Sequence, residues 1–351
     1  MSVIYDYLIV GQGLAGSALA HHLLALNKKI LVIDENRENT SSKVAGGLYN
    51  PITGRKMVKT WKADTLFPFM HEFYQNIEKQ LNTKFLYDTP IYRPFISMEE
   101  QNEWMGKSAT PEYSLFIKKV HQGNLYDFSK DKFGGVELNY SGYLAVPKYL
   151  EAYQQHLKAQ GCFLEDKFVY NDLEVGAEEV KYKDITCRKI IFCDGLGSLD
   201  GKYFSWLPFR PVKGEVIQLR ANIELRHIIN RGVFVVKKDD NYFEVGSNYD
   251  NKNMDLEPTE KAREEILGKM SDITDFSYKI TDQRAGIRPA TADRRPIIGM
   301  HPEYKTIGIF NGLGTKGVSL APFFAHQYVE YLEADKELMN EVNINRYFSL
   351  Y

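Results

Sequence analysis

The spacing of apolar residues changes period repeatedly along this chain, and each change predicts an element. Tyr7 to Val10 form a continuous apolar, β-prone run, as in a parallel strand buried on both faces. Ala15, Ala18, Leu19, His22, Leu23 and Leu26 then recur at helical spacing, and Asn27 is a stop signal. Ile30 to Ile33 form a second strand that ends on Asp34. Further on, Leu66, Phe69, Met70, Phe73, Tyr74, Ile77 and Leu81 lie on one face of a helix over 64–81. Strands are expected over 85–96, an irregular excursion over 99–141, and a helix over 143–160 with Pro147 in its first turn. Residues 161–175 and 180–187 read as strands and lead to IIFCDGLGS at 190–198, an apolar strand followed by Asp194, Gly195 and Gly197. From 204 to 280 the pattern alternates as in an antiparallel sheet, with Asp239, Asp240 and Asn241 as a hairpin turn. An amphipathic helix over 258–270 interrupts it, and a helix of small and aromatic residues ends near Leu332.

This order of elements implies an α/β chain with a discontinuous nucleotide-binding domain. Residues 1–84, 142–203 and 283–351 assemble that domain; 85–141 and 204–282 build an inserted, mostly antiparallel one. The first strand–helix–strand unit carries the chemistry. Gly11, Gly13 and Gly16 give G-x-G-x-x-G between a strand and a helix. The first glycine permits the tight turn, the second lets a pyrophosphate approach the backbone, and the third lets helix and strand pack closely. The helix N-terminus completes an anion site. Asp34 stands at the spacing of a carboxylate that binds a ribose hydroxyl. The unit serves NAD and FAD alike.

Composition narrows the field. A net charge of -2 supplies no general field for nucleic acid or an anionic membrane. No apolar run approaches the roughly 20 residues of a membrane span. The apolar start runs straight into the glycine turn, so it reads as a strand and not a leader, with a cytoplasmic setting as the default. Cys162, Cys187 and Cys193 lack metal-type spacing, and their odd number argues against a disulfide framework. The 23 Tyr and 20 Phe are enough to line a pocket as well as fill a core.

Four segments in order carry a family likeness: the N-terminal fingerprint with Asp34, the small residues at 45–47, the strand–glycine segment at 190–198, and two C-terminal motifs. The last two, GIRPATADRRPIIG (286–299) and FNGLGTKGVSLAP (310–322), are the specific part. Together they resemble the FAD-dependent D-amino-acid oxidase, glycine oxidase and sarcosine oxidase family. AGGLYNPITGR also resembles the FAD domain of the bifunctional enzyme that matures 5-methylaminomethyl-2-thiouridine in tRNA.

The resemblance implies a Rossmann-like FAD-binding domain of glutathione-reductase type with an inserted β substrate domain. It implies an enzyme that oxidises the C–N bond of a small amino acid or N-substituted glycine, passing hydride to flavin N5 and leaving an imine that hydrolyses. Arg288 falls where the family's arginine pairs with the substrate carboxylate, a match for its planar fork; the other reading is an interdomain ion pair, and Arg284, Arg294 and Arg295 lie close enough to substitute. Gly11, Gly13, Leu14, Ala15, Gly16, Asp34 and Glu35 fall at the adenosine and pyrophosphate positions, with Val169 and Gly195 also assigned to the cofactor. Ala45, Gly46 and Gly47 match the stretch beside the isoalloxazine. Gly312, Gly314, Thr315, Lys316 and Gly317 match the turn whose amides and helix N-terminus face the charge that reduction places on the flavin. Lys316 either adds a full positive charge there or is a surface lysine.

No cysteine follows residue 193 and no histidine lies in 36–60, so FAD is expected to be noncovalent. His21 and His22 read as packing or surface residues, and Asp293 as structural. No motif suggests a metal site. Pocket candidates from the inserted sheet are Lys213, Tyr242 and Phe243, with the inward face of the strands left open. Arg55, Lys56, Lys59 and Lys62 form a basic run that serves either solvation or RNA. The rival readings are a flavoprotein acting on a carboxymethylaminomethyl-modified tRNA uridine, an NAD-dependent dehydrogenase, and a flavin-binding redox protein without turnover. The identity of the amine, oxidase against dehydrogenase, and the oligomeric state stay open.

Overall fold

The computed structural model describes residues 4–54 and 57–351. The chain opens with β1 (Ile4–Val10), α1 (Leu14–Ala25) and β2 (Ile30–Asp34), then the single turn α2 (Ser41–Val44) and the long α3 (Ala63–Leu81). β3 (Ile91–Pro94), α4 (Met98–Ser108), β4 (Ile117–His121), β5 (Gly135–Leu138) and α5 (Val146–Ala159) follow. The chain continues through β6 (Phe163–Glu165), β7 (Leu173–Val175), β8 (Val180–Tyr182) and β9 (Ile185–Phe192). It then forms β10 (Val212–Arg220), β11 (Ile228–Arg231), β12 (Val233–Asp239), β13 (Tyr242–Gly246), α6 (Glu260–Ser271) and β14 (Lys279–Arg288). β15 (Ile297–Met300), β16 (Ile307–Asn311) and α7 (Gly317–Ala334) close it.

Two eight-stranded sheets organise these elements. In the first, β1 lies between β2 and β9, all three parallel, with Val10 opposite both Ile33 and Phe192. β6 extends it beyond β2, and β16 runs parallel to the end of β9. Alternation along β1 feeds two cores. Tyr7 and Ile9 pack with Leu19 and Leu23 of α1 and Phe324 and Tyr328 of α7; Leu8 and Val10 pack with Phe192, Tyr203 and Phe204 on the other face. Burial on both faces is why the strand reads as an unbroken apolar run.

The second sheet runs β14-β10-β13-β12-β11-β3-β5-β4. Ile217, Leu219, Val233, Val235, Phe243 and Val245 point to one face, where they bury Ile266 and Met270 of α6. Each such side chain contributes roughly 1.5–3 kcal/mol by leaving water. Since strand side chains alternate, Gly214, Phe234, Lys238, Glu244, Gly246, Gly286 and Arg288 lie on the opposite face. That face abuts the first sheet's half of the molecule: a Cβ on Gly286 would sit 3.0 Å from Val44 of α2.

Several expectations shift in detail. The 99–141 stretch is not irregular but holds α4, β4 and β5. α4 buries little more than Gln101 and Trp104, so its apolar stripe is too thin to read as periodicity. Its signature is instead an N-cap: Ser97 Oγ accepts from the Glu100 amide at 3.3 Å, and Glu100 reaches back to accept the amide of Ile96, one residue before the cap, at 2.9 Å. β14 runs without a break through 282–283, so Arg288 belongs to the second sheet, paired opposite Val212.

Candidate active site

The site begins at the turn between β1 and α1. Gly11 has φ +99°, and a Cβ there would lie 2.6 Å from the Cys193 carbonyl oxygen. A Cβ on Gly16 would lie 1.9 Å from the Gly11 carbonyl oxygen, so only glycine lets the helix close on the turn. Gly13 differs: a Cβ there would meet no backbone atom within 4 Å, only the side-chain Ser42 Oγ at 3.2 Å. No side chain caps α1 and no carboxylate lies in its first turn, which leaves the amides at Leu14, Ala15 and Gly16 with the positive helix end for an anion. Asp34 is fixed by two backbone donors, the amides of Gln12 and Asn36, each at 2.6 Å. Glu35 is exposed and paired with Arg37 at 2.6 Å.

A second helix N-terminus meets the first. Gly312 (φ +76°) and Gly314 (φ +55°) turn the chain from β16 into α7, which again has neither a side-chain cap nor an acidic first turn. A Cβ on Gly317 would come within 2.9 Å of Leu14 Cδ1, so α1 and α7 start side by side. Asn311 ties this turn to the 190–198 segment. Its Oδ1 accepts the Gly312 amide at 2.8 Å, and its Nδ2 donates to the Gly195 carbonyl at 2.8 Å. Thr315 is exposed. Lys316 is mostly buried, its ammonium 3.4 Å from the hydroxyls of Thr53 and Thr60. Burial first, then Arg295 and Arg294, pull its pKa down to about 8.

Between these pieces runs the 45–47 segment. Ala45 ends α2 and is exposed. Gly46 lies under the Phe234 ring, where a Cβ would come to 2.5 Å, and its carbonyl accepts from Lys238 Nζ at 2.8 Å. Gly47, with φ +72°, has the Leu144 carbonyl where a Cβ would be. Lys238 also pairs with Glu244 at 3.3 Å and lies 4.0 Å above the Tyr143 ring; burial lowers its pKa, with Glu244 opposing.

Arg288 projects from the end of β14 over Gly214, whose missing side chain leaves room for the guanidinium. Nη2 donates to Ser247 Oγ at 2.8 Å, and the Tyr249 ring centroid lies 5.0 Å from Cζ. Nη1 is buried and, among the described residues, has no hydrogen-bond partner. Burial lowers the pKa of the group. A buried, half-satisfied guanidinium calls for an anionic acceptor. Arg284 is exposed and paired with Asp282, and Arg295 lies 4.1 Å over Trp61, so neither takes this place.

Two pocket candidates fall on the wrong face. Lys213 is fully buried toward α6, donating to Asp255 at 2.6 Å and to the Glu257 carbonyl at 2.5 Å. Phe243 belongs to the α6 core. Tyr242 shares the face of Glu244 and Arg288. Missed by the sequence reading were Lys238, Glu244, Ser247 and Tyr249; the phase set by Val233, Val235 and Val245 points the first two inward. Val169 is exposed, its amide given to the Tyr182 hydroxyl at 3.1 Å. Asp293 pairs with Arg346 at 3.0 Å. His21 and His22 pack around Phe73, and burial lowers both pKa values. Arg55 and Lys56 lie outside the described residues.

Two uncapped helix ends, a glycine cradle and an anchored acidic residue at the end of β2 fit a dinucleotide that spans from Asp34 to the 312–317 turn. A profile of FAD dependent oxidoreductases, DAO, matches residues 6–331. The chain belongs to the DAO family. It is an FAD-dependent oxidoreductase, and the NAD reading falls.

Among its relatives, glycine oxidase from Bacillus subtilis is 23% identical over 340 residues, covering 91% of this chain and 90% of that one. The tRNA 5-methylaminomethyl-2-thiouridine biosynthesis bifunctional protein MnmC from Marinobacter nauticus is 23% identical over 352 residues. That alignment covers 92% of this chain but 54% of the relative, so the DAO-family chain spans about half that relative's length. The fold matches the crystal structure of glycine oxidase from Bacillus cereus with a TM-score of 0.79 at 20% identity, covering 95% and 96% of the two chains. It also matches iminodiacetate oxidase from Chelativorans, with a TM-score of 0.78 at 19% identity over 97% and 98%. Among the described residues no helix is long and apolar enough to cross a membrane.

Proposed function

We propose that this DAO-family chain oxidises the C–N bond of a small amino acid or N-substituted glycine. The observation that carries the reading is Arg288, whose Nη2 is held by Ser247 and whose buried Nη1 has no partner among the described residues. A substrate carboxylate accepting from Nη1 is fixed at one end, which orients its α-carbon. Relatives named for glycine and iminodiacetate oxidation agree with a carboxylate-bearing amine.

FAD supplies the electron-pair acceptor and is held by non-covalent contacts. Cys187 and Cys193 are buried at β9 and its end, and Cys162 precedes β6. The protein's part is orientation and charge. The substrate loses a hydride from carbon and a proton from nitrogen, and the resulting imine takes up water to release a carbonyl compound and an amine. Lys316 and the N-termini of α1 and α7 concentrate positive charge beside the glycine turn. No side-chain base is required when the amine arrives neutral. The test is anaerobic mixing of the holoprotein with glycine, sarcosine and D-amino acids: bleaching of the visible flavin bands supports the reading, and a panel that never bleaches them defeats it.

A second reading, action on a modified tRNA uridine, draws on the relative from Marinobacter nauticus and on one surface feature. Trp61 is flanked by the Arg295 guanidinium at 4.1 Å and the Lys62 ammonium at 5.5 Å, a stacking and phosphate-binding combination. Retention on tRNA with a steep salt dependence favours it; no retention at low salt rejects it.

A further inference from the structure

Asp194, the carboxylate of the 190–198 segment, has no part in amine oxidation, yet it stands inside the cofactor cradle. It lies just past β9, between β1 and β16, the two strands that run into the glycine turns. Its Cα lies 3.0 Å from where a Cβ on Gly11 would be. Ligands of open α/β sheets bind outside these strand ends. The partly buried carboxyl is bonded on both oxygens: Ser198 Oγ donates to Oδ1, and the Tyr170 hydroxyl donates to Oδ2 at 3.1 Å. Ser198 in turn accepts from Asn311 Nδ2 at 3.1 Å, the amide that also holds the Gly195 carbonyl. Asn311 Oδ1 accepts the Gly312 amide. One line of hydrogen bonds thus runs from Tyr170 through Asp194, Ser198 and Asn311 into the turn before α7.

The line closes in either charge state. Ionised, Asp194 accepts from both hydroxyls. Protonated on Oδ2, it donates to Tyr170, whose own proton has a second acceptor in the Gly197 carbonyl at 3.3 Å. Among the described residues no lysine, arginine or histidine pairs with the carboxyl. Tyr203 stands behind Tyr170, Cys193 adjoins on β9, and Asp172 and Asp200 are exposed on the flanking turns. Val10, Gly11 and Asn311 bring no charge. Burial pushes the pKa of Asp194 up to about 6, with Ser198 and Tyr170 opposing. A pyrophosphate at the Gly11–Gly16 turn adds negative charge beside a carboxyl without a counterion, which favours the protonated form further.

We propose that Asp194 is a positioning residue for FAD, whose carboxyl ties the 195–198 and 312–314 turns together and takes up a proton from solvent as the dinucleotide binds. The inference concerns the cofactor alone and stands whatever the substrate is. By linkage, affinity for FAD is full below the point where the free carboxyl ionises. It falls as pH rises through that point and levels off once the bound form ionises too.

The experiment titrates the full-length apoprotein with FAD by calorimetry from pH 5 to pH 7, in buffers of differing ionisation enthalpy so that protons are counted. With the carboxyl lifted by about one pKa unit on binding, affinity is expected to fall about fivefold across that range, with about half a proton taken up near pH 6.5. Lys316, with its pKa of about 8, stays mostly charged throughout. Asp194→Asn keeps an acceptor for Ser198 and gains a donor for Tyr170, so it is expected to bind at pH 7 as wild type does at pH 5, without slope or proton uptake. Asp194→Ala cuts the line of hydrogen bonds and is expected to bind about tenfold more weakly at every pH. Tyr170→Phe removes a donor to the charged form and is expected to move the slope to higher pH. A wild-type affinity that is level from pH 5 to pH 7, or a slope that Asp194→Asn retains, overturns the proton coupling. An Ala variant that binds as well as the Asn variant overturns the positioning role. Where Asp194→Asn does not fold, Tyr170→Phe decides: a slope that stays in place overturns the proposal, and one that moves upward supports it.

Discussion

Gly214 and Arg288 occupy one space: a Cβ on Gly214 would lie 2.1 Å from Nη2 and 2.3 Å from Nη1 of the guanidinium. The glycine on β10 is therefore part of the proposed carboxylate site although it carries no chemistry. Gly214→Ala is expected to push Arg288 off its position without removing its charge. KM for carboxylate amines should rise by about tenfold to a hundredfold, the loss of 1.4–3 kcal/mol of oriented hydrogen bonding, with flavin content retained. Arg288→Ala should cost more, roughly a hundredfold to a thousandfold in kcat/KM. Steady-state kinetics of both variants on one substrate check the order, and unchanged kinetics in Gly214→Ala would contradict it.

The glycines of the fingerprint should separate into two kinds. Gly13 has a negative φ, and a Cβ there would press only on the Ser42 hydroxyl at 3.2 Å, a side-chain atom, so the apo fold is expected to tolerate a side chain there once Ser42 gives way. Gly13→Val is expected to keep the wild-type circular dichroism but to weaken FAD binding by about a hundredfold or more, since the branched group fills the space a pyrophosphate approaches. Gly11→Val should instead damage the fold, because φ +99° and the Cys193 carbonyl both forbid it. Flavin content of the purified proteins, measured beside their thermal melts, distinguishes the two. A yellow, wild-type-like Gly13→Val would place the pyrophosphate elsewhere.

Much of this architecture was legible because local and long-range demands agree. β1 is apolar at every inner position because it is covered twice, and its glycine turn has a steric reason at Gly11 and Gly16 that any sequence serving this packing must meet. Arg288 stood out through its motif. What stayed hidden depended on phase. Lys213, Glu215 and Phe243 alternate in strands whose inward face cannot be chosen until α6 is known to cover the other side. Lys213 is a charged residue in an active-site strand and reads as a pocket group, yet it serves a buried cluster. Ser247 and Tyr249 lie past the end of β13, where no periodicity speaks for them. Gly214 gives no signal in the sequence, because its reason is a side chain 74 positions away that only the β10–β14 pairing brings near.

Lys213 accordingly supports stability. Its ammonium is fully buried, bonded to Asp255 and the Glu257 carbonyl and 3.8 Å from Glu215. Glu215 keeps its own donors, the Thr259 amide and hydroxyl at 2.9 Å and Gln283 Nε2 at 2.6 Å. Lys213→Met removes one partner without stranding Glu215, so a loss of roughly 1–3 kcal/mol is expected. The measurement is denaturant unfolding together with KM. A lower midpoint with KM unchanged places Lys213 in the scaffold; a raised KM at unchanged stability would return it to the pocket.

Lys316 makes the site sensitive to pH in a direction that can be worked out. Its pKa is depressed from the usual 10.5 to about 8 by burial and by the neighbouring arginines. Between those values the unfolded chain holds a proton that the folded chain has lost. The destabilising effect of this group is therefore complete below pH 8 and fades as pH rises toward 10.5. At neutral pH the lysine is mostly charged, and negative charge on a reduced flavin nearby would favour the charged form further. Lys316→Met is expected to lower the flavin midpoint potential by roughly 20–40 mV near pH 7, with about 30 mV corresponding to 1.4 kcal/mol for a two-electron couple. The gap between wild type and variant should close as pH is raised above 8, because the wild-type lysine then loses its charge. The same variant should be more stable than wild type as the apoprotein below pH 8, since it removes a mostly buried cation that has no carboxylate partner among the described residues. Spectroelectrochemical titration across pH 6.5 to 9.5 reads the first effect and thermal melts of apoprotein the second. A potential that does not move in Lys316→Met would leave the charge stabilisation to the helix ends of α1 and α7 alone.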